Sequence, residues 1–165
     1  MMKKLLILAI VAIAAIIPAA AQRGETRIGA DFGVAPSLEK GSNVTNVMLD
    51  AKVQYGVTNN IRLEGKLGYG FRDDTVSAFT LEANAQYLFK LAPGWSMYPL
   101  VGVGYGRPNV KAGGYSRSYN RFLFNVGLST EYNITSRLAA NIEVKYQYMD
   151  DFSRFPITVG VSYAF

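Results

Sequence analysis

Apolar and polar residues alternate with a period of two in eight separate stretches of this chain, and nothing else in the sequence restricts its fold so tightly. That is the strand period, because successive side chains of an extended chain point to opposite faces. The stretches run over residues 27–34, 47–57, 61–71, 79–89, 101–106, 121–132, 137–148 and 157–165. In the seventh, Leu138, Ala140, Ile142, Val144, Tyr146 and Tyr148 oppose Arg137, Asn141, Glu143, Lys145 and Gln147. Most are about ten residues long, the length with which a tilted strand crosses a bilayer.

The connections alternate as well. "TNN" (58–60), "LAPG" (91–94) and "NITS" (133–136) are short, "PSLEKGSNVTN" (36–46) and "RPNVKAGGYSRSYN" (107–120) are long, and the two around Asp73 and Asp150 are intermediate. Tight turns at one end and longer loops at the other predict an all-β fold, an eight-stranded antiparallel up-and-down barrel. For Val57 and Ile61 to share a face, the first turn must hold three residues. Lys52 then stands opposite Lys66, with Asp50 and Glu64 expected on the diagonals to offset the like charges.

Alternation alone leaves open which face is inside. A soluble, lipocalin-like barrel would turn the apolar face inward around a ligand. Three features favour a transmembrane barrel with the polar face inside. Gly29, Gly33, Gly56, Gly68, Gly70, Gly102, Gly104, Gly106, Gly127 and Gly160 all fall on the polar face, where glycine makes room in a narrow interior. That face also carries nearly balanced charge: Arg27, Lys52, Arg62, Lys66, Arg121, Arg137 and Lys145 against Asp31, Asp50, Glu64, Glu82, Glu131 and Glu143, the expected lumen network. On the apolar face, aromatics form two bands around an aliphatic waist. Tyr55, Tyr87, Phe89, Tyr132, Tyr163 and Phe165 lie at the short-turn end, and Tyr69, Phe71, Phe79, Tyr105, Phe122, Phe124, Tyr146, Tyr148 and Phe155 toward the loops. Amphipathic rings settle at the headgroup level of a membrane.

The first residues differ from the rest. Lys3 and Lys4 precede an apolar run from Leu5 to Ile17, then Pro18 and the triplet Ala19, Ala20, Ala21. These are the parts of a secretory signal peptide, too short to span a membrane as a helix. The expected domains are a signal peptide over 1–21 and the barrel over 22–165. No Cys is present, so disulfides contribute nothing, and the basic residues are scattered rather than clustered as a nucleic-acid footprint requires.

The last stretch, Ile157-x-Val159-x-Val161-x-Tyr163-x-Phe165, resembles the C-terminal signal by which outer-membrane barrels are recognised for insertion, carried by Val161, Tyr163 and Phe165. The mature chain resembles the small eight-stranded outer-membrane barrels of the OmpA/OmpX group, and "YPLVGVGYG" (98–106) is similar to a stretch common there. The resemblance implies residence in the outer membrane as a monomeric scaffold without nucleic-acid partners. Its implied partners are the surrounding lipids and lipopolysaccharide, and the barrel-assembly machinery during insertion. The peptidoglycan-binding domain of many relatives is not expected.

Relatives that are enzymes rely on a catalytic His, and this chain has no His and no Cys, which removes Ser/His and Cys/His nucleophiles and thiolate or imidazole metal sites. Asp73 with Asp74 and Asp150 with Asp151 are carboxylate pairs suited to Ca²⁺, but that ion takes about six to eight oxygens. They read as solvated loop charges, and no metal, cofactor or catalytic site is assigned. Arg107, Lys111 and Arg117 in the long loop are candidate contacts to lipopolysaccharide phosphates. The first reading of function is a non-enzymatic structural barrel with a lumen plugged by its own side chains. Its alternatives are a narrow channel opened when a charged pair exchanges partners, and an adhesion module using the loops.

Overall fold

The computed structural model describes residues 24–38, 45–72 and 76–165. The expected signal peptide and the Asp73–Asp74 pair lie outside these described residues. Ten strands follow in order: β1 (Thr26–Pro36), β2 (Thr45–Gly56), β3 (Ile61–Arg72), β4 (Val76–Tyr87), β5 (Phe89–Ala92), β6 (Trp95–Ala112), β7 (Tyr115–Ser118), β8 (Arg121–Asn133), β9 (Leu138–Met149) and β10 (Ile157–Ala164). Each barrel strand pairs antiparallel with its neighbours, β4 joins β6, and β1 joins β10, so the sheet closes. Eight strands form the wall. β5 prolongs β4 past Leu88, and β7 precedes β8; both pair with β6 beyond the barrel proper.

Two turns share one construction. Val57 N and Thr58 N both donate to Ile61 O (2.9 and 3.1 Å), and Ile134 N and Thr135 N both donate to Leu138 O (2.8 and 3.1 Å). In each, the threonine Oγ1 accepts from the next two backbone amides but one, closing an ST turn. The three-residue turn over 58–60 sets Lys52 opposite Lys66 in the register.

The 107–120 segment departs from the expectation of a long loop. β6 continues to Ala112 and returns through Gly113 and Gly114, whose φ values of 58° and 82° fit the two-residue hairpin turn that demands positive φ twice. β6 also begins earlier than the alternation suggested, because Tyr98 and Leu100 face inward, reversing the usual polarity there.

The apolar face is outside. Leu49, Val103, Leu128, Ile142 and Val159 form a waist 46–57% exposed, flanked by both aromatic bands, which Trp95 joins at the short-turn end. The buried core is the lumen itself, filled mainly by polar and charged side chains with Met48, Tyr98, Leu100, Leu123 and Met149 between them.

Candidate functional site

Closing eight tilted strands brings residues far apart in sequence across a narrow interior. The charged side chains there fall into three groups. At the short-turn end, Glu131 accepts from Arg27 Nη1 (3.0 Å) and from Arg62 Nη1 (3.1 Å to Oε2). Arg62 Nε donates to Gln86 Oε1 (2.6 Å), and its guanidinium lies 4.6 Å from the centroid of the Tyr98 ring. Stacking and ion pairing together fix this arginine, as its planar, weakly hydrated head allows.

In the centre, Asp31 is held by Lys52 Nζ (2.6 Å), Lys66 Nζ (3.0 Å) and the Asn141 amide (3.1 Å). Lys66 also donates to Glu143 (2.8 Å) and lies 3.7 Å from Glu64, which accepts from Gln54 and Asn84. Lys145 donates to Glu82 (2.6 Å) and stands 3.7 Å from Glu143, while Asn125 and Gln147 donate to Glu82 as well. Every lysine in the lumen belongs to this group, and burial leaves all three below 4% exposed. A buried ammonium needs such carboxylate and amide-oxygen contacts, since its desolvation costs several kcal/mol.

At the loop end stands Arg154, 4% exposed, donating through Nε to Gln147 Oε1. Its backbone N and O also bond Gln147, so the β10 ladder runs on past Pro156.

Several sequence expectations are corrected here. Arg137 is not in the lumen: it is the last residue of a three-residue turn, past the lip of the barrel, and its Nη1 donates to the Tyr163 hydroxyl (3.4 Å) in full exposure. Arg121 sits at the loop rim, paired with Asp151 (3.3 Å) rather than within the network. That pairing also turns Asp151 toward a cation. Asp50 does not offset the Lys52–Lys66 pair by a contact; Asp31 and Glu143, from other strands, do that. Arg154, outside the eight stretches, takes part, as do the amides of Gln54, Asn84, Gln86, Asn125 and Gln147, which alternation placed on the polar face but the expected network of charged residues left out. Among the described residues, six cations (Arg27, Lys52, Arg62, Lys66, Lys145, Arg154) thus share the interior with six carboxylates (Asp31, Asp50, Glu64, Glu82, Glu131, Glu143).

Glycine gives this network its space. A Cβ on Gly102 would run into the Asn84 side chain, and one on Gly160 into Asp31. On the outside, Arg107 and Lys111 share the outward face of β6, above Phe79 and Tyr105, whereas Arg117 pairs with Val110 on the opposite face of the hairpin. Val161, Tyr163 and Phe165 all point outward, the last two rings meeting edge-on at 5.5 Å.

The family described as the outer membrane protein beta-barrel domain matches residues 5–165. Among solved structures, Neisserial surface protein A resembles the chain with a TM-score of 0.76 at 15% identity, over 85% of this chain and 97% of that one. Ail, the attachment invasion locus protein of Yersinia pestis, gives 0.67 at 19% identity, over 87% and 100%. The N-terminal β-barrel domain of Pseudomonas aeruginosa OprF gives 0.63 at 17% identity, over 87% and 100%. No curated protein sequence matches the chain.

Proposed function

The chain belongs to the outer membrane protein beta-barrel domain family and resides in the outer membrane, and from that premise we propose that it is a non-enzymatic structural barrel whose lumen is closed by its own charged side chains. The observation that carries this reading is the continuous central network, in which Lys52 joins Asp31 to the Asn141 amide oxygen, Lys66 joins Asp31 to Glu143, and Lys145 holds Glu82 with Glu143 3.7 Å away. Ions cannot pass through such a lumen without replacing several charge-assisted contacts at once. Planar bilayers containing the purified protein should therefore show no conductance steps; steady openings would establish the channel alternative instead.

In this reading Arg107 and Lys111, outward on β6 on the loop side of Tyr105, meet headgroup phosphates, and they are the residues we assign to lipopolysaccharide, without Arg117. Val161, Tyr163 and Phe165 serve in this reading as the signal read by the assembly machinery. Deleting Phe165 should lower the amount of folded barrel in the outer membrane, measured by heat-dependent gel mobility; unchanged assembly would remove that role. Residues 1–21 act as the export signal, and processing after Ala21 is the expected cleavage.

A further inference from the structure

One lumen carboxylate stands apart from the network. Asp50 is 2% exposed, yet neither of its oxygens has a hydrogen-bond partner in the protein. The hydroxyl of Thr80, 1% exposed, is also unpartnered. Both lean over the same spot on the wall: a Cβ on Gly68, which pairs with Asp50 on one side and Thr80 on the other, would stand 2.6 Å from Asp50 Oδ1 and 2.5 Å from Thr80 Oγ1.

The charges around Asp50 do not satisfy it. Its electrostatic neighbours are the ammonium groups of Lys66 and Lys145, the Arg154 guanidinium, which donates to Gln147 rather than to Asp50, and the carboxylates of Glu82 and Asp31. Lys66 is taken by Asp31 and Glu143, and Lys145 by Glu82. The central group as a whole sets five carboxylates, Asp31, Asp50, Glu64, Glu82 and Glu143, against three lysines, while the balancing arginines lie at the two ends of the lumen. Buried polar groups without partners mark sites where water or an ion completes the structure. Water would satisfy the hydrogen bonds and leave the excess negative charge; a cation answers both. Five carboxylates stand against three lysines and Arg154 in the centre and loop end, so a single added positive charge balances them, and a calcium ion, with its double charge and its about six to eight oxygens, does not fit.

We propose that the lumen binds a small monovalent cation, of the size of sodium, between Asp50 and Thr80 over Gly68. This rests on the reading of the lumen as a closed, charge-paired interior. The cation acts as a fifth, exchangeable positive group of the interior's centre and its loop end, beside Lys52, Lys66, Lys145 and Arg154, and it makes the stability of the barrel dependent on which salt is present.

The test is thermal unfolding of the detergent-solubilised barrel at pH 8, followed by its gel mobility, in sodium chloride and in N-methylglucamine chloride at equal ionic strength. Sodium should raise the midpoint by roughly 2–4 °C, saturably, because a ligand bound only by the folded state stabilises it. The shift should vanish in Thr80→Val, which keeps the shape and removes the hydroxyl, and in Asp50→Asn. In the wild type, ²³Na relaxation should be enhanced saturably, and Thr80→Val should abolish the enhancement even where Asp50→Asn fails to assemble. Equal midpoints in the two salts, or a sodium effect that survives Thr80→Val, would overturn the cation site and leave the closed lumen standing. Conductance in the unmodified barrel would instead remove the reading beneath it.

Discussion

Ile142 and Glu143 are neighbours on β9, one 52% exposed on the outside of the barrel and the other 1% exposed within it. The outer face obeys a rule for single residues: any apolar side chain at the waist, or aromatic at the rim, meets the requirement of lipid. The inner face obeys a rule for pairs. Glu143 is acceptable because Lys66 reaches it from β3, 2.8 Å away, with Lys145 at 3.7 Å. Outside, chemistry class determines the outcome of a substitution; inside, the identity of the partner does.

Breaking a pair should therefore give the largest effect. Glu82→Gln leaves Lys145 without its carboxylate and should destabilise the barrel by about 3–5 kcal/mol, with much of the loss recovered in the double variant Glu82→Gln, Lys145→Met. Urea unfolding in lipid or detergent measures both, and an uncorrected double variant would show that the network is not pairwise. On the other face, Ile142→Arg should cost about 2–4 kcal/mol, while Ile142→Leu stays below about 1.5 kcal/mol. Equal tolerance of arginine and leucine there would contradict contact with lipid.

Glycines sharpen the same contrast. Gly102→Ala should cost about 1–3 kcal/mol, because its Cβ would meet the Asn84 side chain and the Ala83 carbonyl. Gly65 faces outward with no atom within 4 Å of a Cβ, so Gly65→Ala should be neutral or stabilise by about 0.5–1 kcal/mol. Smallest of all, Arg137→Gln should leave the unfolding curve unchanged, since that residue is fully exposed. A marked loss would return it to the network.

The alternation made the wall legible in advance, including which residues face lipid and where the first turn falls, because side-chain parity is a local property of an extended chain. Partners inside the lumen were not legible. That Lys66 meets Asp31 and Glu143 depends on the tilt and stagger of the closed barrel, which no single strand encodes. The exceptions have equally specific causes. Tyr98 and Leu100 put apolar groups inside, so polarity gave the wrong start for β6. Arg154 continues the inward parity of β10, but Pro156, which lacks an amide to donate, disguises the strand. Arg137 has inward parity and yet belongs to a turn.

The seam between β1 and β10, in which Arg27 meets Ala164, also governs the order of events in synthesis. Nearly the whole chain separates those two residues, so this is the contact of highest sequence separation in the wall, and its formation must wait for the last strand. Until then β1 presents an open edge whose amides and carbonyls can pair with any other strand, including that of a second chain. On its inward face Arg27 likewise lacks Glu131 of β8 during that interval, while Asp31 has Lys52 of the adjacent β2 but lacks Asn141 of β9. A strand inserted before closure would carry such charges unpaired against lipid, a cost that favours insertion together with closure.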